Sequence, residues 1–237
     1  MRAPMEDVRD AAVRAGVARV RAAVADAARR SGRDAATIRI LAAVKYVDAA
    51  AAAVLVESGI VDLAENRLQA LEQRRASADL ASHAAALRWH YIGRLQSRQA
   101  PRIAGQVDVI HTLCTASAAA RLDTLERLPE LLVQVNVDGD PGKDGLEPSA
   151  VESFLTELPA RVRVSGFMTM PAAAASPGDS RRAFAALREL RDRLAPRLGE
   201  RHPLTRLSMG TSQDFVVAVE EGATDLRLGR TLFVDGE

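Results

Sequence analysis

Short apolar runs recur along the chain, each followed by a stretch in which Ala, Leu, Arg and Glu repeat with helical spacing. The runs are IRILAAVK (38–45), IVDLAEN (60–66), LRWHYIG (87–93), DVIHTL (108–113), ELLVQVNV (130–137), VRVSGFMTM (162–170), RLSMG (206–210) and DLRLG (225–229). Strand-like runs alternating with helical segments are the pattern of repeated βα units around a parallel sheet. Eight such units in 237 residues predict an α/β fold, a (β/α)8 TIM barrel, with an extra amphipathic helix at the N-terminus. An open doubly wound sheet is the alternative.

Alternation within the runs favours the barrel. In LLVQVNV, Val133, Val135 and Val137 share one face, suited to packing under helices, while Leu132, Gln134 and Asn136 share the other. The same parity turns Leu41, Ala43 and Lys45 inward on the first strand, Arg88 and His90 on the third, and Asp225 and Arg227 on the eighth. Barrel enzymes carry their chemistry at the C-terminal ends of the strands. Lys45, Asn66, His90, Asn136, Met168, Ser208 and Arg227 stand at such ends, which would gather an amine, a cation and several hydrogen-bonding groups in one pocket.

Composition narrows the classes. A 48% hydrophobic content supports a sizeable core, and the length suits one domain over residues 1–237. A formal charge of +1 with 3% aromatics provides no basic surface for nucleic acid. The longest apolar run, AAAAAVLV at 49–56, is too short to span a bilayer, and charges scattered through the first 30 residues do not fit a signal peptide. The single cysteine, Cys114, excludes an internal disulfide framework and is expected in the core. The four histidines lack the paired spacing of a local metal motif; His111 is expected in the core, and His83 and His202 at the surface. A soluble, cytoplasmic, metal-free protein is expected.

Of 32 basic residues only Lys45 and Lys143 are lysine. Arginine stays protonated, whereas a lysine can lose its proton when desolvated and attack a carbonyl, so Lys45 at the end of the first strand is a candidate nucleophile. Lys143, in the turn-rich DGDPGKDGL, is expected to be exposed. Barrels often hold a phosphate on the loops after strands seven and eight, here SMGTSQDF and RLGRTLF. Gly210 and Gly229 permit close backbone approach, Thr211, Ser212 and Thr231 supply hydroxyls, and Ser212 is placed to cap the helix in SQDFVVAVEEG. Read singly, Ser212 is equally a plain cap and the glycines plain turn formers. An amine facing a phosphate site leaves two chemistries open: an aldolase acting on a sugar phosphate through a lysine imine, or a lysine imine to pyridoxal 5′-phosphate.

Seven blocks carry a family resemblance: AVK at 43–45, EN at 65–66, WHYIGRLQ at 89–96, QVNVDGDPGKDGL at 134–146, GFMTMP at 166–171, LSMGTSQDF at 207–215 and LRLG at 226–229. In this order, over nearly the whole chain, they resemble the pyridoxal-phosphate homeostasis proteins, single-domain relatives of the N-terminal barrel of alanine racemase. The resemblance implies a cofactor, pyridoxal 5′-phosphate (PLP), held as an aldimine on Lys45. It implies that Arg227 faces the pyridine nitrogen, that Ser208, Ser212, Gly229 and the adjoining backbone amides of Gly210 and Thr211 hold the phosphate, and that Asn66, His90 and Met209 line the pocket. It implies a carrier in vitamin B6 balance without efficient turnover, with PLP-dependent apoenzymes as expected partners and a monomeric state. An amino-acid racemase is the alternative; the chain's end at TLFVDGE, just after the last strand, leaves no length for a racemase's second domain. Tyr46, Thr211, Arg98 and Gln99 depart from the family pattern, the first two beside the expected cofactor.

Overall fold

The computed structural model describes residues 4–45, 47–171 and 176–233; Tyr46 and the last four residues of TLFVDGE lie outside this range. Eight parallel strands pair in chain order: β1 (Arg39–Ala43), β2 (Asp62–Glu65), β3 (Arg88–Tyr91), β4 (Val109–Leu113), β5 (Glu130–Gln134), β6 (Val164–Met168), β7 (Arg206–Ser208) and β8 (Asp225–Leu228). The sheet closes where β8 pairs with β1, Arg39 opposite Asp225 and Leu41 opposite Arg227, which excludes the open sheet. Most strands stop short of the runs read from sequence, β1 at Ala43 rather than Lys45. The residues beyond leave the ladder to form the barrel mouth.

Helices follow the strands. They are α1 (Pro4–Arg30), α2 (Ala49–Glu57), α3 (Leu68–Arg75), α4 (Ala78–Ala81), α5 (Ala100–Ala104), α6 (Ala116–Asp123), α7 (Val151–Glu157), α8 (Pro177–Leu198) and α9 (Phe215–Glu220). In α1, Val13, Val17, Val20, Val24 and Ala27 recur in steps of four and three and are all buried, a stripe facing α2 and α9. Gly16 lets this helix approach closely, since a β-carbon there would lie 2.5 Å from the Leu232 carbonyl oxygen. Helix α8 starts with Pro177 in its first turn and a capping box, Ser176 Oγ accepting from the Asp179 amide (3.2 Å) and Asp179 Oδ2 from the Ser176 amide (3.0 Å). Among the described residues no helix is long and apolar enough to cross a membrane.

The core has two compartments because each strand has two faces. Ala42, Val44, Leu63, Val133, Val135, Leu207 and Leu226 point outward into the apolar layer beneath the helices. Leu41, Ala64, Val109, Leu132 and Met168 are equally buried but stand apart from that layer, inside the barrel.

Below these inner apolar residues the barrel is closed by charge. Arg39, Asp62, Arg88, Glu130, Arg206 and Asp225 each begin a strand, and together they form three cations against three carboxylates. Arg206 grips Asp225 with two nitrogens, one of them at 3.0 Å, and reaches Glu130 Oε2 at 2.7 Å. Arg88 holds the same Glu130 oxygen at 2.6 Å, and Arg39 bridges Asp225 (3.0 Å) and Asp62 (3.7 Å). Burial alone would raise the Asp225 carboxyl, but the hydrogen bonds and charge of Arg206 outweigh it and hold it well below the ordinary value of 3.8. The folded protein therefore binds this proton less tightly than the unfolded chain does. The stabilisation is complete above pH 3.8 and is lost as the pH falls through the depressed value.

Asp225→Asn removes the carboxylate shared by Arg206 and Arg39, leaving two carboxylates against three cations, and should cost about 3 to 5 kcal/mol of unfolding free energy at neutral pH. In urea titrations the gap to the wild type should narrow only below pH 3.8. A gap unchanged down to strong acid would contradict this account.

Candidate functional site

At the opposite, C-terminal end of the strands a cavity of about 880 Å³ opens. The ends of β1, β5 and β8 contribute Ala43, Lys45, Gln134 and Arg227 to its lining, and the loops after β5, β6, β7 and β8 contribute the rest apart from Ile92. Both lysines of the chain are there. Lys143 is half-buried rather than exposed, because the loop after β5 folds back over the mouth. Gln134 Nε2 donates to the Asp144 carbonyl (2.8 Å), Asn136 Nδ2 donates to the Asp140 carbonyl (2.9 Å), and Lys143 pairs with Asp138.

The backbone on either side of Lys45 is clamped. Arg74, on α3, donates from Nη2 to the carbonyls of Val44 (2.9 Å) and Val47 (2.8 Å) and from Nε to Glu65 Oε1 (3.0 Å). Glu65 ends β2 and has no exposed surface, so the guanidinium serves both as its counter-charge and as a brace for the turn that presents Lys45. Sequence reasoning missed Arg74. The available signal was Glu65, a carboxylate in a strand whose other residues pointed to burial and which therefore needed a cation.

The loops after β7 and β8 meet through one hydroxyl. Ser212 Oγ accepts from the Gly229 amide (3.2 Å) and the Thr231 amide (3.4 Å) and lies 3.1 Å from Thr231 Oγ1. Ser212 is thus not a helix cap. Helix α9 begins at Phe215, and Asp214 Oδ1 closes the preceding turn by accepting from the Thr211 amide (2.7 Å) and hydroxyl (3.0 Å). Gly210 is required by its φ of 93° and because a β-carbon would lie 2.5 Å from that of Ala218.

Arg227 reaches the cavity from below. It is 5% exposed and donates from Nη1 to Ser208 Oγ (2.7 Å) and from Nη2 to the Thr169 carbonyl (2.8 Å). Burial pushes its pKa down to about 10, against the attraction of Asp214 and Asp225, and it remains a cation at neutral pH.

Of the ten residues singled out from sequence, Lys45, Thr211, Ser212, Arg227 and Gly229 line the cavity and the other five do not. Ser208 lies beneath it with no exposed surface, its hydroxyl engaged by Arg227 and by His111 Nδ1 (2.8 Å). His90 is deeper still, between His111 Nε2 (2.9 Å) and Asp62 Oδ1 (2.8 Å). Met209, one residue past inward-facing Ser208, points outward into the apolar layer. Gly210 is buried behind the loop, and Asn66 is half-buried, its carbonyl pressed against Gly93. His202, expected at the surface, is instead fully buried, Nδ1 accepting from the Val164 amide (3.1 Å) and Nε2 beside the Leu155 carbonyl (3.0 Å), so it ties β6 to α7. Cys114 is a half-buried free thiol.

Fold and site together define a single-barrel protein with an amine after the first strand and hydroxyl-bearing, glycine-bearing loops after the seventh and eighth. Residues 13–236 match the family described as alanine racemase, N-terminal domain. Pyridoxal phosphate homeostasis proteins of Aquifex aeolicus and Pseudomonas aeruginosa are 36% and 38% identical to it, over 92% of this chain and 95% and 93% of theirs. The PLP-bound structure of PipY from Synechococcus elongatus superposes with a TM-score of 0.74 at 28% identity, covering 89% of this chain and all of that one. The chain belongs to the alanine racemase N-terminal domain family and, within it, to the pyridoxal phosphate homeostasis proteins.

The clamp on the Lys45 turn yields a direct test. Arg74→Met leaves Glu65 without its counter-charge and should lower stability by about 3 to 5 kcal/mol in urea unfolding. A loss of less than about 1 kcal/mol, the range of an exposed pair, would show that the clamp is not what holds this turn.

Proposed function

We propose that this chain binds PLP in the mouth of its barrel, with Lys45 as the attachment point, and holds it as an exchangeable pool rather than turning over a substrate. One observation carries the reading. A single cavity joins an amine, a buried guanidinium, and two loops that meet through Ser212, Gly229 and Thr231. The names of the relatives and the PLP-bound PipY support it.

The residues present fit the group. Lys45, Lys143, Arg227 and Arg230 stand in the lining against Asp144 and Asp214, an excess of positive charge suited to a phosphate monoester. Thr211, Ser212, Gly229 and the backbone amides around Gly210 would hold the phosphate through charge-assisted hydrogen bonds. Arg227 would face the ring nitrogen. When bound, PLP supplies an aldehyde for the lysine amine and an electron-accepting pyridine ring.

This chain's residues work against the second role. A cationic Arg227 beside the ring nitrogen disfavours a proton there and so weakens the ring as an electron acceptor. Among the described residues the lining holds no tyrosine, histidine or cysteine to act as a second base, and Lys143 is committed to Asp138. Asn66, His90, Ser208 and Met209 support the site from outside it. On this reading the protein acts as one domain in the cytoplasm, as a monomer, and passes the aldehyde to PLP-dependent apoenzymes.

Incubation with PLP, borohydride reduction and peptide mapping should place the adduct on Lys45, and Lys45→Arg should abolish it while preserving the fold, since arginine retains the charge but is not a nucleophile at neutral pH. An adduct mainly on Lys143, the other lysine of the chain, would sink the assignment. Holding rather than turnover is tested separately. The loaded protein should show negligible deuterium exchange at the α-carbon across a panel of amino acids, and rates of about 1 to 1,000 per second would make it a racemase.

A further inference from the structure

A hydrogen-bonded chain crosses the barrel interior from the cavity to the charged end. Arg227 Nη1 donates to Ser208 Oγ at 2.7 Å, Ser208 Oγ lies 2.8 Å from His111 Nδ1, His111 Nε2 lies 2.9 Å from His90 Nδ1, and His90 Nε2 lies 2.8 Å from Asp62 Oδ1. Ser208, His111 and His90 have no exposed surface. The positions come from four different strands after Arg227's own, so no sequence spacing announces the chain.

Its two ends dictate its direction. An ionised carboxylate only accepts, so His90 carries its hydrogen on Nε2, facing Asp62. A neutral His90 then offers Nδ1 as an acceptor, which His111 can meet only with a hydrogen on its own Nε2. That leaves His111 Nδ1 as an acceptor for the Ser208 hydroxyl. With its hydrogen committed to His111, Ser208 Oγ presents lone pairs to Arg227, which can only donate. Every link pairs one donor with one acceptor, and reversing the two rings would set His90 Nε2 as an acceptor against the Asp62 carboxylate. Burial lowers the proton affinity of both rings: for His90 it outweighs the pull of Asp62, and for His111 the neighbouring His90, Arg206 and Arg227 lower it further against the pull of Asp225, so both favour the neutral form.

This arrangement answers how a buried guanidinium at the edge of the cavity is held. Its two hydrogen-bond acceptors, a hydroxyl and a carbonyl, are both uncharged. Aligned dipoles along the chain point their lone-pair ends at Arg227 and their hydrogens at Asp62, so each bond strengthens the next.

We propose that Asp62, His90, His111 and Ser208 are positioning residues for Arg227, forming a one-way relay that fixes the guanidinium at the floor of the cavity. The relay itself is a property of the protein alone; its consequence for the cofactor rests on the reading that Arg227 faces the PLP ring.

Nitrogen-15 NMR of the full-length protein with labelled histidine tests the relay directly. Without added ligand at neutral pH, His90 and His111 should both appear as neutral rings with the hydrogen on Nε2. A hydrogen on Nδ1 of either ring, or a doubly protonated ring, overturns the proposal whether or not PLP binds. Two variants test the positioning. The amide of His111→Gln can still accept from Ser208 and donate to His90, whereas His111→Leu can do neither. In His111→Leu the Arg227 guanidinium protons should exchange with water about tenfold faster, and PLP affinity should fall by up to about tenfold, the scale of one lost neutral hydrogen bond. The glutamine variant should stay near the wild type in both. Equal behaviour of the two variants in proton exchange overturns the positioning role. Correct tautomers and exchange with unchanged PLP affinity would retain the relay and instead count against Arg227 facing the ring. If His111→Leu does not fold, the wild-type tautomers and a comparison with Ser208→Ala still decide the question: faster Arg227 exchange in Ser208→Ala supports the relay, and unchanged exchange overturns it.

Discussion

Closing a parallel sheet into a barrel leaves its interior no water with which to satisfy polar side chains, and that constraint governs what lies inside this one. Below the mouth, the inward polar groups find partners across the lumen, on other strands. At the lower end, charged residues that begin six strands neutralise one another. Above them a serine and two histidines link Arg227, beneath the mouth, to Asp62 in the charged layer. The cation at the floor of the cavity is therefore connected to carboxylates at the far end of the barrel.

The same economy divides the two kinds of basic side chain. Arginine supplies the cations that must stay charged while buried or braced: Arg206 and Arg39 in the lower layer, Arg74 at the Lys45 turn, Arg227 at the floor. Its forked donors let one side chain hold two acceptors at once, as Arg74 does with Glu65 and the carbonyls flanking Lys45. Both lysine amines line the cavity. A chain that could use either cation on its surface uses almost only arginine there, which leaves very few nitrogens able to react with an aldehyde.

The mouth is built differently from the barrel beneath it. Loops after β7 and β8 are joined by hydrogen bonds between hydroxyls and amides, with Ser212 as their meeting point. The loop after β5 folds over the opening through Asn136 and Gln134, both from the inward face of their strand. Strand parity thus decides which residues can reach the mouth, and loop hydrogen bonds decide how they are presented.

Much of this was legible in the sequence. The period-two pattern of LLVQVNV separated Val133 and Val135 from Gln134, and the same parity turned Lys45 and Arg227 inward, because alternation is a local property of a strand. The blocks from AVK to LRLG carried the family in the same way, as local strings. Depth along the barrel was not local. His90 and Ser208 face inward as read, but whether an inward residue meets the mouth or the floor depends on the register between strands, which parity leaves open. Met209, which the family resemblance placed in the pocket lining, follows inward-facing Ser208, and its side chain belongs to the other face. Ser212 had the composition of a cap and became a bridge, because Asp214 closed the turn first. Arg74 and the histidine relay join residues from separate βα units, and only closure of the sheet brings those units within hydrogen-bonding distance. Local alternation along the chain was enough to specify the elements, their two faces and the strand end that carries Lys45; which inward groups share a layer was settled only by closure of the barrel, since that requires all eight strands in register.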